Sequence, residues 1–197
     1  RMIAAILFGR KNSKSIRNKN ILKILGKPMF RYPLDAALNS KKINKVYVST
    51  DCNIIKKKSK EKGCSIINRP KELCDDKALL EDAIQHAVNY CQRENNNSIK
   101  IFIILLCNSI CVNSKMIEKG INFLNKNKSY QTITTISKFN NFSPVRAKKI
   151  KGKELLNYIP NHELKKFTPL SCDRDKSVHS YICTQSFTAS RGEILKK

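Results

Sequence analysis

The segment of the sequence best suited to chemistry is a basic, polar stretch that follows the first apolar run of the chain. The apolar run covers residues 2–8 (MIAAILF) and ends at Gly9, and the basic loop covers residues 10–20 (RKNSKSIRNKN). Cationic side chains alternate in this loop with small polar residues, at Arg10, Lys11, Lys14, Arg17 and Lys19. Cations neutralise a polyphosphate, and small residues let backbone N–H groups approach it. The loop therefore predicts a phosphate site, and the alternative is a basic surface loop after a core strand.

The apolar run explains why this loop is well placed for binding. An unbroken run of this length, ended by Gly9, is typical of a strand buried on both faces, as in a parallel sheet. Open α/β sheets bind ligands outside the carboxyl ends of their strands, which is where the loop begins. The loop contains neither GxxxxGK[ST] nor GxGxxG, so neither of these nucleotide-binding motifs is indicated.

Strand and helix patterns alternate along most of the chain, without internal repeats. Further strands are expected at residues 46–48, 65–67, 99–106, 132–137 and 181–189. A first helix is expected from Pro28 to about residue 39, and a second from just after Asp51 to residue 62. Further helices are expected over 79–94, over 115–125 and from Arg191 onward. Asp51 is the expected N-cap of the second helix, and Asn113 or Ser114 that of the fourth. This alternation predicts a mainly parallel sheet with helices on both faces.

The length and the loss of periodicity indicate how the chain is organised. A chain of 197 residues suits one well-cored α/β domain. Residues 139–180 are polar and lack a period, which is typical of a functional extension rather than a simple connector. We therefore expect a single domain with a core of residues 1–138 and 181–197 and an extension of residues 139–180. The sequence stops in the middle of a helical pattern at Lys197, so a fragment of a longer protein is expected.

The charge of the chain favours an anionic ligand or partner. The net charge is +24, from 39 lysines and arginines against 15 aspartates and glutamates. Nucleic acid is the usual suspicion for such a balance, so a basic nucleic-acid-binding module is the alternative from another functional class. Aromatic residues are only 7% of the chain and no nucleic-acid-binding signature is present, which makes nucleic acid the weaker interpretation. The alternative explanation of the charge is nucleotide bias in the source genome, which would raise the lysine, asparagine and isoleucine contents together.

The cysteines and the lengths of the apolar segments indicate the cellular compartment in which the protein is expected. The eight cysteines include no CxxC pair, and no nearby Cys or His pair completes a zinc site with Cys107 and Cys111. The sequence shows no signal-peptide pattern and no apolar segment of membrane length. Free thiols in a reducing cytoplasm are therefore expected, without a membrane partner.

Four motifs in chain order resemble those of the CMP-sialic acid synthetases, also called acylneuraminate cytidylyltransferases. The basic loop resembles the family's R-G-G-S-K-x-x-x-x-K-N, with lysine and asparagine in place of the two glycines. The other motifs are LGKPMFRYPLDAAL (residues 25–38), KVYVSTD (45–51) and NRPKELCDDKA (68–78). The resemblance implies a three-layer, Rossmann-like nucleotide-diphosphosugar transferase fold with a mainly parallel sheet and a dimerisation extension.

The resemblance also implies a reaction. It predicts transfer of CMP from CTP to a nonulosonic acid, a nine-carbon acid of the sialic type, with release of pyrophosphate by a cytoplasmic homodimer that uses Mg²⁺. The Kdo cytidylyltransferases share this reaction with another sugar acid and are the second enzyme alternative. The motifs do not decode which nonulosonic acid is the acceptor.

The matched loop residues receive roles from the resemblance. Lys19 is the cation expected at the α-phosphate, and Arg10, Ser13 and Lys14 are expected to form the cradle for the phosphates. Asn20 is expected to bind oxygens of the nucleotide. Transfer at phosphorus relies mainly on positioning and on neutralising charge, which is what these residue types supply.

The later motifs supply the residues expected to bind the base and the sugar. For cytosine they are Arg69 and the backbone at Ala78, with Leu80 where the family often has a hydroxyl. Asp76 matches the acid of that motif, with helix capping as the alternative.

The residues expected to bind the sugar are Asn108, Ser109, Arg146 and Arg174, and surface positions are the alternative for the two arginines. The aspartates expected to bind the metal would follow the last strand, beyond Lys197, so the metal ligands are unknown.

Overall fold

A computed structural model describes residues 2–11, 16–75, 77–138, 143–167 and 179–195. It divides into two compact units, one of residues 1–135 and 185–197 and one of residues 136–184. The strands are β1 (Met2–Gly9), β2 (Lys23–Ile24), β3 (Lys27–Pro28), β4 (Lys45–Thr50), β5 (Ser65–Asn68), β6 (Ile99–Leu106), β7 (Thr132–Lys138), β8 (Lys148–Lys151), β9 (Glu154–Asn157) and β10 (Tyr181–Arg191). The helices are α1 (Arg31–Leu38), α2 (Asn53–Lys60), α3 (Leu80–Glu94), α4 (Ser114–Lys126) and α5 (Asn161–Leu164).

Six strands form one mixed sheet in the order β5-β4-β1-β6-β10-β7. Strand β1 pairs in parallel with β4 and with β6, and β4 pairs in parallel with β5. Strand β10 is antiparallel to β6. The chain therefore adds β4 and β5 on one side of β1 and then returns to place β6 on the other side. The predicted α/β fold with a mainly parallel sheet is confirmed.

Strand β1 is buried on both faces, as its composition predicts. Ile3, Ala5 and Leu7 belong to one core cluster, to which α1, α2 and α4 contribute apolar residues. Ala4 and Ile6 belong to the cluster on the other face, which is closed by α3. Successive side chains of a strand point to opposite faces, so a strand between two helical layers must be apolar at every position. The expected layers of helix, sheet and helix follow.

Three local predictions differ from the structure at helix ends. Pro28 does not begin a helix, because it pairs with Lys23 across the β2–β3 hairpin, whose turn has positive φ at Leu25 (49°) and Gly26 (78°). Helix α1 therefore begins at Arg31. Asp51 does not cap α2: the N-cap is Cys52, without a side-chain hydrogen bond.

The third difference concerns the helix expected from Arg191. That residue is the last of β10, and its N–H donates to the carbonyl of Gln131 at 2.9 Å. The next N–H, that of Gly192, donates to Lys100 at 2.9 Å, so both amides are bound to neighbouring strands or loops rather than to a helical turn. A turn follows as far as residue 195. By contrast, Asn113 caps α4 as predicted, since its Oδ1 accepts a hydrogen bond from the N–H of Met116 at 3.0 Å.

The second unit contains the antiparallel β8–β9 hairpin, the short helix α5 and a 3-10 turn at Pro144–Arg146. Most side chains of β8 and β9 are exposed. Across the described ranges of the chain, no helix has the length and apolar character needed to cross a membrane.

Candidate functional site

A cleft of about 330 Å³ lies at the carboxyl ends of β1 and β6. These strands are adjacent in the sheet, and the chain reverses its direction of strand addition between them. Such a point is where open α/β sheets bind ligands, because the loops leaving the two strands separate there. The cleft is lined by Phe8, Gly9, Arg10, Lys19, Asn20, Arg69, Leu73, Asp75, Ala78, Leu79, Leu80, Ala83, Leu106, Cys107 and Asn108.

The two ends of the basic loop are joined by a hydrogen bond. The Asn20 side chain donates from Nδ2 to the carbonyl of Arg10 at 2.9 Å. The Asn20 carbonyl accepts from the N–H of Phe30 at 3.0 Å, which connects the end of the loop to the residue before α1. Asn20 therefore holds the loop closed as well as lining the cleft. Ser13 and Lys14 lie outside the described residues.

The two predicted catalytic cations, Arg10 and Lys19, both line the cleft. Nη1 of Arg10 donates to the carbonyl of Asp75 at 3.1 Å, so this guanidinium is held beside the turn that follows Arg69. Lys19 lies in the 3-10 turn Lys19–Ile21 and is half-buried. Within the described parts of the chain, its Nζ has no hydrogen-bond or ion-pair partner. Lys19 therefore supplies a positive charge that an anionic ligand can neutralise.

Arg69 forms the inner wall of the cleft. Its Nη2 donates to the carbonyl of Ser49 at 2.8 Å and its Nε to the hydroxyl of Ser49 at 3.3 Å. The guanidinium carbon lies 5.9 Å from the centre of the Phe8 ring, within range of a cation–π interaction. Burial lowers the pKa of Arg69, and nearby negative groups, including Asp51, oppose this shift. An arginine remains protonated in proteins, so Arg69 is a fixed donor and a fixed charge.

Another part of the cleft wall is formed by a turn in which Asp75 contacts Lys77 and Ala78. Oδ1 of Asp75 accepts hydrogen bonds from the N–H of Lys77 (2.8 Å) and of Ala78 (2.7 Å). The N–H of Ala78 is thus already bound within the chain, and the carbonyl of Ala78 is the backbone group left for a ligand. Leu79 and Leu80 follow at the start of α3 and are 61% and 40% exposed. They give the wall an apolar surface that a flat ring can cover.

Asp75 is a residue that the sequence analysis did not select. Its neighbour Asp76 matches the resembled motif, but Asp76 lies outside the described residues. Asp75 shapes the turn through its carboxylate and holds Arg10 through its carbonyl. Asp75 binds the N–H groups of the residues two and three positions further along the chain, which is the pattern of an Asx-turn. An aspartate at this position in the sequence is the signal that could have identified the turn.

The residues predicted to bind the sugar are not all in the cleft. Asn108 is exposed and lines it, whereas Ser109 is buried at 7% exposure and does not. The N–H of Ser109 donates to the carbonyl of Leu106 at 3.0 Å, so Ser109 belongs to the turn after β6. Arg146 lies in the second unit, and Arg174 lies outside the described residues.

Cys107 forms the floor of the cleft beneath Gly9. The thiol is fully buried, and burial raises the pKa of Cys107 far above its ordinary value, so it stays protonated. A Cβ placed on Gly9 would overlap Cys107 Sγ and would lie 3.2 Å from Cys107 Cβ and 3.4 Å from Asn20 Nδ2. Only a residue without a side chain allows β1 to pass this close to the loop after β6.

A larger cavity, of about 420 Å³, lies at the opposite end of β1 and β6. Arg191, one of its charged wall residues, donates to the carbonyls of Leu124 (2.7 Å), Asn127 (3.3 Å) and Tyr130 (2.9 Å). That guanidinium holds the chain after α4 in place. The smaller cleft is the better candidate site, because it combines the carboxyl ends of the strands with cations and with an apolar wall.

Comparisons with known proteins place this cleft in a family context. A family model described as Cytidylyltransferase matches residues 4–165. A Helicobacter pylori protein, pseudaminic acid cytidylyltransferase and UDP-2,4-diacetamido-2,4,6-trideoxy-beta-L-altropyranose hydrolase, is 34% identical over 144 residues, which is 73% of this chain and 27% of that protein. An N-acylneuraminate cytidylyltransferase of Escherichia coli O18:K1:H7 is 31% identical over 144 residues, 73% of this chain and 33% of that protein. The chain thus spans about a third or less of the length of these relatives.

Solved structures show the same fold. A CMP:2-keto-3-deoxy-manno-octonic acid synthetase complexed with CTP superposes with a TM-score of 0.69, at 15% identity, over 99% of this chain and 76% of that one. A 4-diphosphocytidyl-2C-methyl-D-erythritol synthase from Anaerococcus prevotii gives a TM-score of 0.58, at 18% identity, over 98% and 72%. At such identities the likeness concerns the fold alone.

Proposed function

Because this chain belongs to the cytidylyltransferase family, as its motifs predict, we propose that it transfers CMP from CTP to a nonulosonic acid and releases pyrophosphate. The observation that supports this most strongly is the cleft itself. Three cationic side chains from separate parts of the sequence, Arg10, Lys19 and Arg69, line it together with an apolar wall. This combination suits a ligand with a charged phosphate end and a flat ring.

The reaction proposed is a displacement at the α-phosphorus. The anomeric hydroxyl oxygen of the sugar acid forms a bond to the α-phosphorus and loses its proton to solvent water, while the bond from the α-phosphorus to the oxygen bridging the α- and β-phosphates breaks and pyrophosphate leaves. Negative charge moves onto the leaving pyrophosphate and the non-bridging oxygens. Lys19 and Arg10 stabilise that charge, which is the main form of catalysis open to a protein in such a step. Ser13 and Lys14 complete the cradle in this proposal.

Base recognition is proposed for Arg69 and the turn at Ala78. The Arg69 guanidinium donates to O2 or N3 of cytosine. The Ala78 carbonyl accepts from the N4 amine, since its own N–H is bound by Asp75. Leu79 and Leu80 cover one side of the ring. This arrangement favours cytosine over uracil, which carries a carbonyl where cytosine has its amine.

The acceptor side rests on fewer contacts. We propose that Asn108 binds a hydroxyl of the sugar acid, because it is the exposed polar residue on the β6 side of the cleft. Binding of the sugar carboxylate by Arg146 and Arg174, and assembly as a homodimer, remain proposals that rest on the resemblance. The described cysteines are free thiols, which supports a reducing cytoplasm as the proposed compartment.

No Mg²⁺ ligand is assigned among the described residues. They contain no group of three His, Cys, Asp or Glu side chains that could hold a metal. Oδ1 of Asp75 and Oδ1 of Asp51 accept hydrogen bonds from backbone N–H groups. We propose Mg²⁺ as the ion that accompanies the triphosphate of CTP, since Mg²⁺ binds phosphates and water with few carboxylates.

Pyrophosphate release tests this function. The chain is incubated with CTP, Mg²⁺ and, separately, N-acetylneuraminic, pseudaminic and legionaminic acids and Kdo, and the CMP-sugar is identified by its mass. We expect release with at least one nonulosonic acid and none with CTP alone. Release with Kdo only would move the protein to the Kdo group, and no release with any acid by a folded chain that binds CTP would contradict the proposed transfer.

A further inference from the structure

A carboxylate lies beside the basic loop, where it opposes the binding of an anion. Asp51 follows β4, the strand paired with β1, and Gly9 of β1 is in register with Thr50 of β4. The Asp51 carboxylate is also close enough to Arg69 to interact with it electrostatically. A negative charge near a triphosphate weakens binding through Coulomb repulsion, so Asp51 needs another role to explain its position.

The contact made by Asp51 supplies that role. Its Oδ1 accepts a hydrogen bond from the backbone N–H of Lys11 at 2.7 Å. The carbonyl of Arg10 belongs to the same peptide unit and accepts from Nδ2 of Asn20 at 2.9 Å. A peptide unit is planar, so holding its N–H on one side and its C=O on the other fixes its orientation. A flipped unit would turn the carbonyl oxygen toward the Asp51 carboxylate, which repels it.

We propose that Asp51 is a positioning residue that, with Asn20, locks the Arg10–Lys11 peptide unit and so fixes the backbone at the start of the basic loop for CTP. The proposal rests on the proposed function for its ligand. Its structural part is independent of CTP, because the lock exists without a bound molecule. A loop whose direction is fixed beforehand loses less conformational entropy when the triphosphate binds.

Other roles for Asp51 lead to different expectations. A helix-capping role is not supported, since the N-cap of α2 is Cys52 and no side chain caps that helix. A metal ligand or an electrostatic partner of Arg69 would need the charge of the carboxylate. The lock needs only an oxygen acceptor, which asparagine also offers.

The test compares Asp51→Ala with Asp51→Asn. CTP affinity is measured by calorimetry, with Glu61→Ala as the control that removes an exposed acid next to α2. We expect Asp51→Ala to weaken CTP binding about fivefold, the effect of one lost hydrogen bond. We expect Asp51→Asn to bind CTP as tightly as wild type or more tightly, because it keeps the acceptor and removes the repulsion. Glu61→Ala should match wild type.

A second readout separates the lock from the function. Amide hydrogen exchange at Lys11 is followed by NMR without nucleotide, alongside the thermal unfolding of each variant. We expect protection in wild type and Asp51→Asn, and exchange about tenfold faster in Asp51→Ala, because the N–H then loses its acceptor. Equal weakening of CTP binding by both substitutions, or equal protection of Lys11 in all three proteins, would overturn the proposal. If wild type keeps Lys11 protected but binds no CTP, the proposed function fails while the lock stands.

Discussion

Replacement of Lys19 by alanine is expected to lower the rate of CMP transfer about 100- to 1,000-fold, the usual loss when one group that stabilises transition-state charge is removed. The reason is the position of its charge. Lys19 lines the cleft, and its Nζ has no partner within the described residues, so its charge is available to the phosphates. Since the substitution breaks no described contact of the side chain, the thermal unfolding temperature should stay close to that of wild type.

The matched control for this prediction is Lys23→Ala. Lys23 is an exposed lysine of β2 that does not line the cleft, and its removal changes the net charge by the same amount. Steady-state rates of pyrophosphate release are measured at saturating CTP for all three proteins. Loss of activity in Lys23→Ala equal to that in Lys19→Ala would show that net charge, rather than the site, carries the effect. Full activity of Lys19→Ala would remove Lys19 from the proposed mechanism.

Replacement of Gly9 by alanine is expected to destabilise the fold by about 2–3 kcal/mol, the upper part of the range of about 1–3 kcal/mol for forcing a methyl group into a packed interior. The added Cβ would overlap the sulfur of Cys107, which is buried beneath the cleft. For a domain of this size the unfolding temperature should fall by about 4–12 °C. CTP binding should weaken as well, because the same Cβ would approach the Asn20 side chain that closes the basic loop.

The double variant Gly9→Ala/Cys107→Ala tests the cause of this loss. Removal of the sulfur relieves the overlap, so the double variant should be more stable than Gly9→Ala alone, although Cys107→Ala by itself leaves a small cavity. Unfolding by urea, followed by circular dichroism, gives the four free energies. A Gly9→Ala variant as stable as wild type, or a double variant less stable than Gly9→Ala, would show that Cys107 does not set the requirement for glycine.

The sequence predicts those parts of the fold that local pattern determines. The apolar run that forms β1 alternates between two cores, so its burial on both faces follows from composition alone. The cap of α4 by Asn113 joins residues three positions apart and can be read from the motif. Arg10, Lys19, Asn20, Arg69, Ala78 and Asn108, all selected from the sequence, line one cleft.

The remaining features depend on contacts between residues that are far apart in the chain. Asp51 was predicted to cap a helix, but its partner Lys11 is 40 residues away, across the β1–β4 pair. The link between Arg10 and Asp75 spans 65 residues. Neither partner can be identified from spacing, because both depend on which strand ends meet. Ser109 was predicted to bind the sugar because of its position after β6, but the turn after that strand buries its side chain.

Thermal unfolding with CTP, UTP, ATP and GTP, each with Mg²⁺, tests the central claim that the cleft is a CTP site. A ligand that binds only the folded chain raises the unfolding temperature, by the equivalent of about 2.7 kcal/mol at one hundred times its dissociation constant. UTP is the sharpest comparison, because it differs from CTP at the group proposed to meet the Ala78 carbonyl. We expect a rise with CTP that exceeds the rise with UTP and is smaller in Lys19→Ala. Equal shifts with CTP and UTP, or no shift with any nucleotide in a folded chain, would contradict the proposed site.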